Sequence, residues 1–89
     1  MRLDLFLKAS RLVARRTLAQ ELCEAGAVEV NGAPARSSRA VRAGDVLRVR
    51  RRDRTTSVRV LTLPASKQTS RAEAQNLYEL LEEVRHEDW

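Results

Sequence analysis

Five cations, Arg2, Lys8, Arg11, Arg15 and Arg16, fall within fifteen residues near the start of the chain. Arg15 and Arg16 stand just before a segment that reads as a helix, where the positive end of the helix dipole disfavours added cations by about 0.3 to 1 kcal/mol each. A bound anion removes that penalty. Free N–H groups at a helix N-terminus hold phosphate, and a guanidinium adds a bidentate pair to the same group. The spacing fits a phosphate clamp, with Arg2, Lys8 and Arg11 extending it along a sugar-phosphate backbone. A solvated charged face is the competing reading for any single arginine, and the clustering favours the clamp.

The elements that must position these side chains follow from periodicity. Leu3, Phe6 and Leu7 recur at i, i+3 and i+4, with Asp4 in the first turn, which predicts a short helix over residues 2–9. Thr17 and Gln20 have the spacing of a capping box, so a second helix is expected to start at Thr17. Leu18, Ala19, Leu22 and Cys23 form its apolar face, Glu21 and Glu24 its outer face, and Gly26 its left-handed stop. Beyond Gly26 the period changes to two. Val28-Glu29-Val30 leads into Asn31-Gly32, a tight hairpin turn, and Pro34 confines the returning strand to a sheet edge. Val46 to Arg50 and Ser57 to Leu61 alternate around a charged tip, Arg51-Arg52-Asp53-Arg54. Pro64 to Gln68 reads as a linker, and Ser70-Arg-Ala-Glu73 opens a terminal helix with Ala74, Leu77, Tyr78, Leu81 and Val84 along its apolar stripe.

The fold class expected is α+β: two short N-terminal helices packed on a small, mainly antiparallel sheet, with a C-terminal helix. Residues 1–63 are expected to form the basic, polyanion-binding part, and residues 64–89 to add the linker and acidic helix to the same domain. Eighty-nine residues suffice for one modest core. Residues 1–63 carry fourteen Arg and Lys against six Asp and Glu, a net +8, and residues 64–89 carry three against six, a net −3. A concentrated positive field favours a polyanion. No stretch approaches the roughly 20 apolar residues that span a bilayer, and the start holds Arg2, Asp4 and Lys8 in place of a signal region, so a cytoplasmic chain with no membrane partner is expected. Cys23 has no internal disulfide partner and is expected to pack as a small hydrophobe.

Arg2-Leu3-Asp4, Ser10-Arg11, Arg15-Arg16-Thr17, the run from Gly26 to Gly32 and Val41 to Asp45 together resemble the αL RNA-binding motif first described in ribosomal small-subunit protein four. The likeness covers residues 2 to about 50. Within that family the Met1-Arg2-Leu3-Asp4 start, the short length, and Glu73-Ala74 with Leu77-Tyr78 resemble the bacterial ribosome-associated quality-control factors of the RqcP type, over nearly the whole chain. The family's heat-shock member is similar over the first half but usually carries a longer basic tail, from which this acidic tail departs. The resemblance implies a factor on a large ribosomal subunit that still holds peptidyl-tRNA. It would contact large-subunit ribosomal RNA and tRNA as a monomer, and support alanine tailing of the stalled chain by an RqcH-type tailing factor. Carried over by position, Arg2 and Arg16 match the RNA-contacting residues most clearly, with Asp4, Lys8, Arg11, Arg15, Thr17, Asn31 and Arg36 beside them. Asp4 is expected to orient a neighbouring arginine, since a carboxylate beside phosphate is repelled.

Several alternatives stay open. Arg48, Arg50, Arg51, Arg52 and Arg54 form either a second contact surface or a solvated hairpin. The terminal helix either packs on the sheet or docks a protein. The chain as a whole could be a heat-shock type large-subunit recycling factor, or a DNA-binding regulator using its two short helices. Outward Glu21 and Glu24 make the second helix a poor groove reader. No interleaved aromatics are present to stack unpaired bases, so recognition by RNA shape is expected, with Phe6 in the core. His86, the only imidazole, lies in the acidic tail and is expected to be solvated. No nucleophile-base pair, metal-ligand spacing or Gly-rich phosphate loop is apparent, so neither catalysis nor a cofactor is expected.

Overall fold

The structure, a computed structural model, describes residues 1–66 and 68–86. The chain begins with two helices, α1 (Leu3–Ala9) and α2 (Arg16–Glu24), followed by strands β1 (Val28–Val30), β2 (Ala33–Pro34), β3 (Val46–Arg50) and β4 (Arg54–Val60). A one-and-a-half-turn helix α3 (Arg71–Asn76) and strand β5 (Tyr78–Arg85) complete it. The strands make one antiparallel sheet in the order β2-β1-β3-β4-β5.

Local rules account for most of these elements. Both helices end with a residue in the left-handed region: Gly26 after α2 at φ 74° and Arg11 after α1 at φ 61°. At α2 the Gly26 and Ala27 N–H groups donate to Cys23 and Leu22 carbonyls, which is the doubly bonded glycine stop expected there. Asn31 and Gly32 both take positive φ, 52° and 88°, so the β1–β2 turn is of the type their sequence predicts. Pro34 lies in the edge strand β2, as its missing N–H requires.

One core joins the two layers. Leu3, Phe6 and Leu7 of α1 and Ala19 and Cys23 of α2 cluster with Val28, Val30, Leu47, Val49, Val58 and Val60 from the sheet. Leu47 pairs with Val30 and Val58 across the strands, so alternation places these side chains on one face. Cys23 is buried as expected, and burial followed by the nearby Asp4 charge pushes its thiol pKa up, away from reactivity.

Two expectations are corrected. The second helix starts at Arg16, one residue before Thr17, and no side chain caps it: Thr17 is exposed and Gln20 is drawn elsewhere. The terminal helix ends at Asn76, and Tyr78 onward pairs with β4. Its start was legible, because Ser70 accepts a hydrogen bond from the Glu73 N–H. The apolar spacing explains the misreading. Ala74 and Leu77 are buried, as a helical stripe requires, but Leu81 and Val84 are 41% and 43% exposed. Pairing with β4 satisfies the backbone groups of that strand, which a helix could not do. His86 is exposed, as expected, and adds two contacts to β4 and its turn: its ring Nε2 lies 2.7 Å from Thr55 Oγ1 and its backbone N–H donates to the Asp53 carbonyl.

No described helix is long and apolar enough to cross a membrane. Phe6 is the one fully buried aromatic among the described residues, with Tyr78 packed half-buried against the same core. Phe6→Ala should destabilise the fold by about 3–5 kcal/mol, comparable with the whole stability of a small domain. Thermal melting followed by circular dichroism should then show little cooperative transition.

Candidate nucleic-acid interface

The helical layer is organised around Asp4. Its side chain is fully buried and accepts five hydrogen bonds. Arg2 reaches it through Nε (3.1 Å) and Nη2 (3.3 Å), Arg16 through Nε (3.1 Å) and Gln20 through Nε2 (2.9 Å), while the Leu5 N–H donates at 2.9 Å. Arg16 and Gln20 lie one turn apart on α2 and so share the face turned to α1. Burial pushes the Asp4 pKa up, but hydrogen bonds from Gln20, Arg16, Arg2 and Leu5 outweigh it and hold the carboxyl below its ordinary value.

Asp4 thus fixes the two arginines without hiding them. The Arg2 and Arg16 side chains remain 43% and 41% exposed. Arg16 uses only its Nε on Asp4, which leaves both terminal nitrogens of its fork for an outside acceptor. Two cations on one anion leave a net positive charge. The first-turn amides of α2 carry no side-chain cap and the turn holds no acidic residue of its own, so an anion has open donors there.

The segment after β2 completes this face. Leu3 and Asp4 donate their N–H groups to the carbonyls of Arg39 and Ser37, Val41 donates to the Met1 carbonyl, and Arg2 bridges Ala40. These bonds lay the 36–41 segment along the start of α1. Arg39 is therefore carried in beside Arg2, whereas Arg36 lines a groove with Cys23 and Glu24 at the end of α2, and both arginines are exposed. Arg39 and Gln20 are contributors that sequence reasoning did not assign to the site. An arginine at every third position from Arg36 to Arg42 was the available signal for Arg39, and the one-turn spacing from Arg16 was the signal for Gln20.

The other predicted residues divide. Arg15 is exposed, in extended backbone at the N-terminus of α2. Lys8 and Arg11 line a shallow groove with Ala14, Gln68 and Thr69, and Arg11 donates through Nη2 to the Thr69 carbonyl at 3.0 Å. Asn31 is consumed by the hairpin, because its side chain donates to Asp45 and accepts from the Val46 N–H. The arginines of the far hairpin are partly occupied by groups of the sheet, and Arg48 and Arg50 share the exposed face of β3. Arg50 donates to the Gly26 carbonyl, Arg48 stands across from Glu29, and Arg54 lies 3.7 Å from Asp53. At the tip, burial and then the neighbouring Arg54 charge lower the Arg51 pKa from its ordinary value.

Comparison with known proteins agrees with this geometry. The S4 domain matches residues 1–47. The RQC P-site tRNA stabilizing factor of Bacillus subtilis (strain 168) is 45% identical over 83 residues, covering 93% of this chain and 94% of that relative. The protein of the same name from Streptococcus pneumoniae is 38% identical over 88 residues, covering 99% and 98%. The chain belongs to the S4 domain family, among the RQC P-site tRNA stabilizing factors. Among solved structures, this family member resembles Vibrio cholerae heat shock protein 15, described as trimeric, with a TM-score of 0.81 at 32% identity over 91% of this chain and 81% of that one. The likeness to the heat-shock protein therefore runs well past the first half. A solution structure of a hypothetical protein, HP1423, matches over 100% of both chains with a TM-score of 0.74 and 34% identity.

The depressed Asp4 pKa makes a signed prediction. A carboxylate whose folded pKa lies below its unfolded value, about 3.9, contributes stability that is fully present above that value. That contribution is lost as pH falls through the folded pKa. Asp4→Asn presents an amide N–H to the Gln20 and arginine donors and should lose about 1–3 kcal/mol at neutral pH. Denaturant titrations should show a weaker dependence of its stability on pH below 4 than in the parent. Equal acid dependence in both chains would remove Asp4 from this role.

Proposed function

We propose that this protein is a non-enzymatic RNA-binding factor of ribosome-associated quality control. In this reading it seats its helix face on the large ribosomal subunit and on peptidyl-tRNA, contacting large-subunit ribosomal RNA and the tRNA together. It acts in the cytoplasm as a monomer, and supports alanine tailing of the stalled chain by an RqcH-type tailing factor. The observation that carries the reading is the pair Arg2 and Arg16, held on one buried carboxylate with their guanidinium edges outward.

The physical argument is preorganisation. Immobilising a long side chain on binding costs about 0.5–1.5 kcal/mol, and Asp4 has already ordered both arginines. A phosphate meeting them also finds the uncapped amides of α2. The names of the relatives, RQC P-site tRNA stabilizing factors, supply the ribosomal setting. The structural likeness to heat shock protein 15 favours a second reading, recycling of obstructed large subunits. Large subunits with and without peptidyl-tRNA separate the two: the first reading requires the peptidyl-tRNA to add affinity, measured by co-sedimentation.

Arg16→Ala and Arg2→Ala should each weaken binding to purified large subunits, and unchanged binding in both would remove the assigned site. With about six phosphate contacts the logarithm of affinity should fall against the logarithm of salt with a slope near −4 to −5, shallower by about one in each variant. Arg11 offers a cleaner separation of fold from function. It occupies the left-handed stop position that glycine fills after α2, so Arg11→Gly should leave unfolding free energy within about 1 kcal/mol of the parent. Weaker subunit binding with an intact melting curve would place its guanidinium on RNA. Unchanged binding would leave it as the Thr69 tether alone.

A further inference from the structure

The two edges of the sheet are unlike. β2 is two residues long and ends on Pro34, so it offers little backbone to an incoming strand. β5 runs for eight residues without proline or lysine, and among the described residues it is paired on one side only, with β4. Leu80, Leu81 and Val84 on this strand are 54%, 41% and 43% exposed. Leu81 has no partner on β4, because the register shifts opposite Ser57 and Val58. A long edge strand with exposed leucine and valine is the pattern that receives another extended chain, main-chain bonds giving affinity and side chains selectivity.

Charge selects the occupant. Glu79, Glu82 and Glu83 lie on β5 with Arg85 as its one cation. Glu79 is paired with Arg59, and Glu83 with Arg54 and Arg85, whereas Glu82 makes no ion pair among the described residues. A second copy added along this edge about Glu82 would bring its own unpaired Glu82 against this one, and like charges across a strand pair are destabilising. RNA backbone would be repelled. We propose that β5 is a docking edge for an extended, lysine- or arginine-bearing protein segment, added to the sheet as a sixth strand. That this edge is free for protein rests on the helix face being the one turned to RNA, whereas strand addition itself is independent of RNA.

The test uses the full chain and an acetylated, amidated heptapeptide of alternating lysine and valine, followed by amide chemical shifts. Shifts should gather on residues 78–85, and Glu82→Lys should weaken the peptide about tenfold, the factor that corresponds to 1.4 kcal/mol. The same peptide with its edge-facing amides N-methylated keeps its charge and should lose binding. Equal binding by the methylated peptide would reduce the effect to charge attraction and overturn the proposal. Self-association of the full chain with amide shifts gathered on residues 78–85 would assign the edge to a second copy, which also overturns it. On purified large subunits, a photo-crosslinker at position 82 should form adducts with protein, and adducts with RNA count against the docking edge. Arg16→Ala should retain peptide binding, so failure of the RNA reading and failure of this one are separately visible.

Discussion

A carboxylate removed from water must have its oxygens satisfied, and at Asp4 that requirement ties the helical layer together. Left unpaired it would cost several kcal/mol, so the geometry of its donors is not optional. Gln20 and Arg16 reach it from α2, Arg2 from the residue preceding α1, and the Leu5 amide from the first turn. The relative position of α1 and α2 is thereby fixed by a polar contact as well as by Leu3, Phe6 and Leu7 beneath it. A purely apolar junction would hold the helices but leave the guanidiniums to sample many rotamers. Asp4 exchanges part of the positive field for order, and the exchange favours recognition because two cations share the single anion.

The sheet serves this arrangement through the segment between β2 and β3. Its carbonyls at Ser37 and Arg39 receive the first N–H groups of α1, which have no acceptors of their own within the helix. The strap thus satisfies the start of the helix and delivers Arg39 beside Arg2 in one set of bonds. Asp45 and Asn31 anchor the far end of the strap, Asp45 by accepting from the Arg42 N–H and Asn31 by accepting from the Val46 N–H. Asn31 therefore matters to the interface indirectly, by fixing where the strap returns to the sheet.

Legibility in the sequence followed how local each determinant is. The Asn31-Gly32 turn, the Gly26 stop, Pro34 at an edge and the alternation of β3 and of β4 from Ser57 depend on a few neighbouring residues and were readable, whereas β4 in fact starts at Arg54, in what read as the hairpin tip. Asp4 as an orienting group was readable from charge alone, since a carboxylate within a phosphate site needs a cationic partner. The use of Gln20 was not, because its spacing from Thr17 also fits a capping box and only the approach of α1 decides between them. Leu77 to Val84 carries the same lesson. Leucine and glutamate favour a helix locally, and the unpaired backbone of β4, distant in sequence, overrides them.

That last strand also shapes the field of the molecule. Glu79 lies 2.6 Å from Arg59, and Glu83 stands between Arg54 and Arg85, so the acidic end of the chain is spent largely on arginines of the sheet. Arg48 stands across from Glu29 in the strand register. Paired charges at short range contribute little beyond a Debye length, about 8 Å at physiological salt. Among the described residues, Lys8, Arg15, Arg36 and Arg39 of the helices and the strap make no ion pair, and neither do Arg48 and Arg50 of β3. Positive charge therefore reaches past the helix face onto the sheet. What sets the helix face apart is that Asp4 has ordered Arg2 and Arg16, so steering by the field and docking on fixed donors act together there.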